Sequence, residues 1–149
     1  MMPVVKSVQL AGRVRLEYVE QGDPAGVPVV MLHGATDSWH SFEPVLPHLP
    51  EPIRAFALTQ RGHGDADRPV SGYRTRDFAA DVAAFADALG LGPVVIVGHS
   101  MGSTNAKRFA IDHRMRTRGL VLIGAFASYR HNAPVAEFWS PRALPCVPM

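Results

Sequence analysis

The alternation of apolar and polar positions changes period several times along the chain. Val8 to Leu10 and Val14 to Val19 flank the turn-forming pair Ala11-Gly12, and the second run places Val14, Leu16 and Tyr18 on one face between charged neighbours. That pattern predicts an antiparallel hairpin. Val29 to Leu32 is a short unbroken apolar run entering His33-Gly34, and Ile53 to Leu58 is another that ends before Arg61-Gly62-His63-Gly64. Such runs predict strands buried on both faces. From Thr75 to Leu89 the spacing turns helical, because Phe78, Val82, Phe85 and Leu89 recur at intervals of four, three and four. Thr75 is read as the N-cap, Asp77 as a first-turn acid and Gly90 as the residue just past the helix end. Val94 to Val97, Met101 to Asp112 and Leu120 to Ile123 then read as strand, helix and strand. Strands separated by helices imply parallel pairing through right-handed crossovers. The fold class is therefore α/β: a mostly parallel sheet with an amino-terminal antiparallel hairpin and flanking helices.

Composition mainly excludes. A chain of 149 residues, 47% hydrophobic and 19% charged, is neither a polyelectrolyte nor a low-complexity polymer. One domain is expected at this length. The single cysteine, Cys146, leaves no internal disulfide framework and fits a reducing compartment. Met1 to Leu10 lacks the apolar segment of a signal peptide, and no apolar run approaches the ~20 residues of a membrane span. A cytoplasmic protein without membrane contacts is the expectation. The formal charge is only +2, and 13 of the 15 basic residues are arginines scattered along the chain, so nucleic acid is a poor candidate partner. Arg114, Arg116 and Arg118 follow a helix end, where cations meet the dipole favourably, and read as a solvated basic turn.

The strongest chemical signal is Gly98-His99-Ser100-Met101-Gly102, with a strand before it and a helix after it. A G-x-S-x-G turn in that context is a nucleophile elbow, in which the serine occupies a cramped backbone corner. Gly98 and Gly102 then stand where neighbouring elements come too close for a larger side chain. Ser100 would present its hydroxyl at the amino end of the following helix, where free N–H groups favour developing negative charge. The competing reading is an ordinary Gly-Ser turn. A dinucleotide site or a P-loop fits poorly, for G-x-G-x-x-G would need glycine at Ser100 and Ser103, and Gly-Lys-Ser/Thr occurs nowhere. The second signal is His33-Gly34-Ala35 after a buried strand. Acyl transfer uses two N–H donors for the oxyanion, and the amides of Ala35 and Met101 fit those places. His33, Gly34 and His99 complete this set as loop and elbow residues.

These motifs resemble the amino-terminal half of an α/β-hydrolase, over about residues 14 to 126. His33-Gly34 resembles that family's oxyanion-loop motif, Arg61-Gly62-His63-Gly64 with Pro69 its R-G-x-G-x-S-x-x-P turn, and Gly98 to Gly102 its elbow. Ala66 stands where the family usually has serine, and Thr59 where an aspartate is common; both positions brace loops. The resemblance implies an incomplete α/β-hydrolase fold. It also implies a serine hydrolase acting on an ester, thioester, lactone or similar small substrate, with Ser100 as nucleophile and no cofactor. Ser100 in place of aspartate tells against haloalkane dehalogenases and epoxide hydrolases.

The family order of catalytic residues is Ser, then Asp or Glu, then His. After Ser100 the only carboxylates are Asp112 and Glu137 and the only histidines are His113 and His131, none well placed. The expectation is a truncated hydrolase with little or no turnover, residues 1–126 being the amino-terminal part of a single domain. Residues 127–149, where four of the 13 prolines lie, read as the start of a lid or as an unrelated or disordered tail. Truncation would leave Leu120 to Ile123 as an apolar sheet edge open to self-association. The alternative is a non-catalytic binding or interaction module that keeps the sheet. A metal site built from His33, Asp37 and His40 lacks any recognised ligand spacing. Arg61 and Asp67 read as loop-bracing partners sooner than as catalysts. Trp39, Phe42, Phe126, Phe138 and Trp139 read as packing residues sooner than as an acyl pocket.

Overall fold

The computed structural model describes residues 4–125, so the expectations for residues 127–149 and for Phe126, Phe138 and Trp139 lie outside the described residues. Six strands form one sheet: β1 (Val5–Gln9), β2 (Arg15–Gly22), β3 (Val27–Leu32), β4 (Ile53–Thr59), β5 (Val94–His99) and β6 (Thr117–Ile123), in the order β1-β2-β4-β3-β5-β6. The hairpin β1–β2 and the β2–β4 pair are antiparallel. β4, β3, β5 and β6 run parallel. Their carboxyl ends, including Leu32, Thr59 and His99, therefore gather along one edge of the sheet.

The inner parallel strands β3, β4 and β5 are rich in apolar residues because each feeds two cores. Val30, Leu32, Phe56 and Leu58 join Val82, Phe85 and Phe109 on the helical face. Val29, Met31, Ala55 and Ala57 meet Trp39, Phe42 and Leu46 on the other. Trp39 and Phe42 are thus packing residues, held in one of the short 3-10 segments (Trp39–Phe42, Leu46–His48, Arg114–Arg116) that the periodicity did not disclose. Runs of three or four residues are too short to generate a readable repeat.

Helix α1 (Thr75–Ala88) buries the stripe the spacing predicts, with Leu89 packed just past its end. Its cap differs. Arg74, in extended backbone, is the N-cap; its N–H donates to Asp77 Oδ2 at 2.9 Å, so the first-turn acid closes the end in place of Thr75. The other end is a Schellman turn in which Gly90, at φ +61°, and Leu91 donate to the carbonyls of Asp87 and Ala86. α2 (Met101–Asp112) lies beside α1. The basic turn after it is not wholly solvated, because Arg116 pairs with Asp87 at 2.6 Å and donates to the Ala83 carbonyl.

A buried ion cluster ties the layers together. Asp81, on the core face of α1, accepts from Arg61 Nε at 2.5 Å, Arg61 Nη2 at 2.6 Å and Arg13 Nε at 2.8 Å. Arg61 thus braces its loop, with Asp81 as partner, while Asp67 accepts from the Arg15 N–H. β6 occupies the outer edge, and Leu120, Val121, Leu122 and Ile123 are 38 to 48% exposed. It starts at Thr117, three residues before the apolar run, because Thr117 and Gly119 pair with Val94 and Val95 across a bulge at Arg118 that the apolar pattern does not show.

Candidate active site

Ser100 stands between β5 and α2 with φ 52° and ψ −115°. A non-glycine residue there stores roughly 1–3 kcal/mol of strain, and its surroundings hold it in place. The Ser100 N–H donates to the Ile123 carbonyl at 2.9 Å, and its own carbonyl accepts from the Ser103 N–H at 2.9 Å and the Ser103 hydroxyl at 2.6 Å. A Cβ on Gly98 would lie 2.4 Å from the Gly102 oxygen, and one on Gly102 would lie 2.1 Å from the Leu32 oxygen. Both glycines are therefore demanded by backbone packed against backbone. Ser100 itself is half-buried.

The loop after β3 closes on this corner. A Cβ on Gly34 would sit 3.4 Å from Ser100 Cβ and 3.3 Å from His99 Nδ1, so the exposed His99 ring lies against the glycine. Ala35 follows, half-buried, and Met101 is the first residue of α2, where a helix leaves its amide N–H groups without internal partners. Only two non-glycine residues among those described have positive φ: Ser100, directly before Met101, and Thr36, directly after Ala35, at 61°. The Thr36 hydroxyl donates to the Ala35 carbonyl at 2.6 Å. Thr36 was not legible in the sequence, since a β-branched residue gives no warning of a left-handed conformation.

His33 is buried and wholly engaged. Its Nδ1 lies 2.7 Å from the Gly34 carbonyl, which can only accept, so Nδ1 carries the proton; Nε2 then accepts from the Gln60 N–H at 3.0 Å. Burial pushes its pKa down to about 4, and the ring is neutral at neutral pH. A histidine with both nitrogens committed is neither a base for Ser100 nor a metal ligand. Gln60 Nε2 also donates to the His33 carbonyl at 2.9 Å, and Asn105 Nδ2 donates to Gln60 Oε1 at 2.8 Å. Thr59 Oγ1 accepts from the Trp39 N–H at 3.2 Å, bracing that loop without a carboxylate. His40 Nδ1 is 2.9 Å from the Ser38 hydroxyl.

The described residues do not bring an acid and a base to Ser100. No side chain among them hydrogen-bonds its hydroxyl. Asp112 pairs with Arg108 at 2.7 Å, and His113 leans on Phe109, both at the far end of α2, about 18 Å along its axis from Ser100.

The alpha/beta hydrolase fold family matches residues 27–146. The chain belongs to the α/β-hydrolase family. Among relatives of this α/β-hydrolase, the 2-(acetamidomethylene)succinate hydrolase of Mesorhizobium japonicum is 35% identical over 112 residues, covering 75% of this chain and 40% of the relative. The soluble epoxide hydrolase of a Corynebacterium strain is 38% identical over 100 residues, 67% of this chain and 34% of the relative. The proline iminopeptidase of Neisseria meningitidis is 36% identical over 115 residues, 75% and 37% of the two chains. The crystal structure of E-2-(acetamidomethylene)succinate hydrolase superposes with a TM-score of 0.79 and 33% identity over 86% of this chain and 46% of that one. The α/β-hydrolase chain thus spans about two fifths or less of the curated relatives' lengths. No helix among the described residues is long and apolar enough to cross a membrane.

Proposed function

We propose that the protein is a serine hydrolase acting by acyl transfer, with Ser100 as nucleophile and the Ala35 and Met101 amides as oxyanion donors. The substrate class is an ester, thioester, lactone or similar small acyl compound. The observation that carries this is the backbone of Ser100, held at φ 52° between two glycines that cannot accept a Cβ. A fold of this kind hosts many reactions, and the relatives differ in the substrates their names record, so the reaction class rests on Ser100 and its amides. Each oxyanion donor typically supplies about 10² to 10³ in rate.

A second reading, a non-catalytic binding module that keeps the sheet, is favoured by the lack of any described partner on the Ser100 hydroxyl. One competition separates them. The protein is treated with an aryl fluorophosphonate and digested, and peptides carrying Ser100 and the exposed Ser71 are compared by mass spectrometry. Preorganised amides make Ser100 react faster than Ser71 by about 10² or more even without a base; equal labelling would leave the binding module. None of the described residues is placed as a base for Ser100, and loss of a triad base typically costs about 10⁶ in kcat, so ester turnover is expected to be very small unless a residue outside them supplies one. Rapid hydrolysis abolished by Ser100→Ala would show that a base is in fact in place.

A further inference from the structure

We propose that Gln60 is a positioning residue that, with Asn105, sets the direction of the Ala35 amide relative to Ser100; this rests on the serine-hydrolase reading above. A planar trans peptide fixes the Ala35 N–H antiparallel to the Gly34 carbonyl of the same unit. That carbonyl accepts from His33 Nδ1–H at 2.7 Å, so the imidazole dictates where the amide points. The imidazole is in turn dictated by Gln60, whose N–H donates to Nε2 and forces the proton onto Nδ1. The Gln60 side chain also grips the His33 carbonyl at 2.9 Å, so backbone and ring of one residue are held by a single neighbour directly after β4.

Asn105 connects this to the nucleophile. It lies on α2, five residues after Ser100, and donates to Gln60 Oε1 at 2.8 Å. His33, Gln60 and Asn105 are all buried, so water does not substitute for a lost partner without reorganisation. The relay therefore links the loop that carries one proposed donor to the helix whose first residue carries the other. A shift of about 1 Å in such a donor typically costs on the order of 10² in rate. None of the three side chains touches the reacting atoms; they act through the peptide plane.

The test uses the full chain and Gln60→Met, which retains length and loses both side-chain bonds. Saturating fluorophosphonate kinetics at Ser100 give an inactivation rate and an apparent affinity. The expected result is a rate about tenfold to hundredfold lower with the affinity changed less than about twofold. An unchanged rate overturns the proposal, and so does a loss confined to affinity. Gln60→Glu supplies a rescue, because the neutral acid can donate to the His33 carbonyl while its carbonyl still accepts from Asn105, whereas the carboxylate cannot donate. The labelling rate of Gln60→Glu relative to the parent should rise as the pH falls from 8 to 6, and a flat ratio overturns the role. If the parent fails to label at Ser100 in preference to Ser71, the serine reading falls, and 15N relaxation decides the positioning role by itself. The Ala35 amide order parameter should drop from about 0.85 to below about 0.6 in Gln60→Met while Ile96 keeps its value. An unchanged Ala35 refutes it.

Discussion

Gly102→Ala tests the packing of the elbow most directly. The added Cβ would lie 2.1 Å from the Leu32 oxygen, 2.6 Å from the Leu32 carbonyl carbon and 2.7 Å from the His33 oxygen, all backbone atoms of β3 and its exit. Real contacts of this type do not fall below 3.0 Å, so α2 must move away from β3 by at least 0.9 Å. Neither side yields easily. β3 is paired on both edges, with β4 and β5, and α2 drives fully buried Ala106 and Phe109 into the core. Overpacking of a filled interior typically costs about 1–3 kcal/mol, which in a domain of this size lowers Tm by roughly 3–10 °C. The same displacement carries Met101 and Ser100 away from Gly34, and a misplacement near 1 Å typically costs on the order of 10² in rate. The assay is urea unfolding followed by fluorescence, together with Ser100 phosphonylation. The control is Gly92→Ala, where a Cβ meets nothing within 4 Å and no positive φ is required; there the restricted unfolded chain should give a gain of about 0.4–1 kcal/mol. If Gly102→Ala matches the parent in both urea midpoint and labelling, the close approach does not constrain the elbow and the reasoning fails.

Asp81→Ala leaves the buried Arg61 guanidinium uncompensated and should cost about 3–5 kcal/mol in urea unfolding; the double variant Arg61→Met with Asp81→Leu should recover most of it, and a double variant as unstable as the single would count against a paired charge. His33 binds its proton less readily folded, at about 4, than at the ordinary 6.5, so the unfolded chain takes up more protons between these values. Its stabilising effect is complete above pH 6.5 and declines as the pH falls toward 4, by about 3 kcal/mol at most, a slope that His33→Gln should remove from the urea midpoints. The apolar outer edge of β6 should drive concentration-dependent association, and Val121→Lys should yield a smaller species by light scattering; an equally monomeric parent would refute an adhesive edge.

What the sequence disclosed follows from what is periodic. Alternation placed Val14, Leu16 and Tyr18 in one core, and the four-three-four spacing placed Val82 and Phe85 in the same one and buried Phe78 on the same helix. Unbroken apolar runs correctly indicated strands feeding two cores. The sheet order, with β4 inserted between β2 and β3, has no local signal because it depends on which edges pair across the whole domain. At the candidate site the glycines and Ser100 were legible because a turn this cramped admits few residue types. Gln60, Asn105 and Asp81 were not, since a buried polar residue is distinguishable from a solvated one only when its partners are known, and these lie 20 to 68 residues away in sequence. Arg61 was read as a loop brace partnered by Asp67, which is nearer along the chain, but its partner is Asp81, which presents its carboxylate on the buried face of α1, while Asp67 accepts from the Arg15 N–H.

Where local preference and global fold disagree is itself informative. Along most of the chain they agree: apolar stripes face cores, glycine ends α1, and an acid closes the amino end of the same helix. The disagreement is concentrated at Thr36 and Ser100, two residues forced into a conformation that their own side chains oppose. Each adjoins one of the two amides proposed to face the oxyanion. Strain of this kind, roughly 1–3 kcal/mol per residue, persists only where surrounding structure overdetermines it. That overdetermination is visible here as backbone contacts at Gly98 and Gly102, the Ser103 clamp on the Ser100 carbonyl, and the His33–Gln60–Asn105 relay beneath the Ala35 loop. A fold needing only a tight turn between β5 and α2 would find a cheaper residue than serine at φ 52°, and glycine would serve. A hydroxyl at that dihedral, beside a second strained residue on a separate loop, is what the proposed nucleophile and its amides require and what a connection that merely reverses the chain would not.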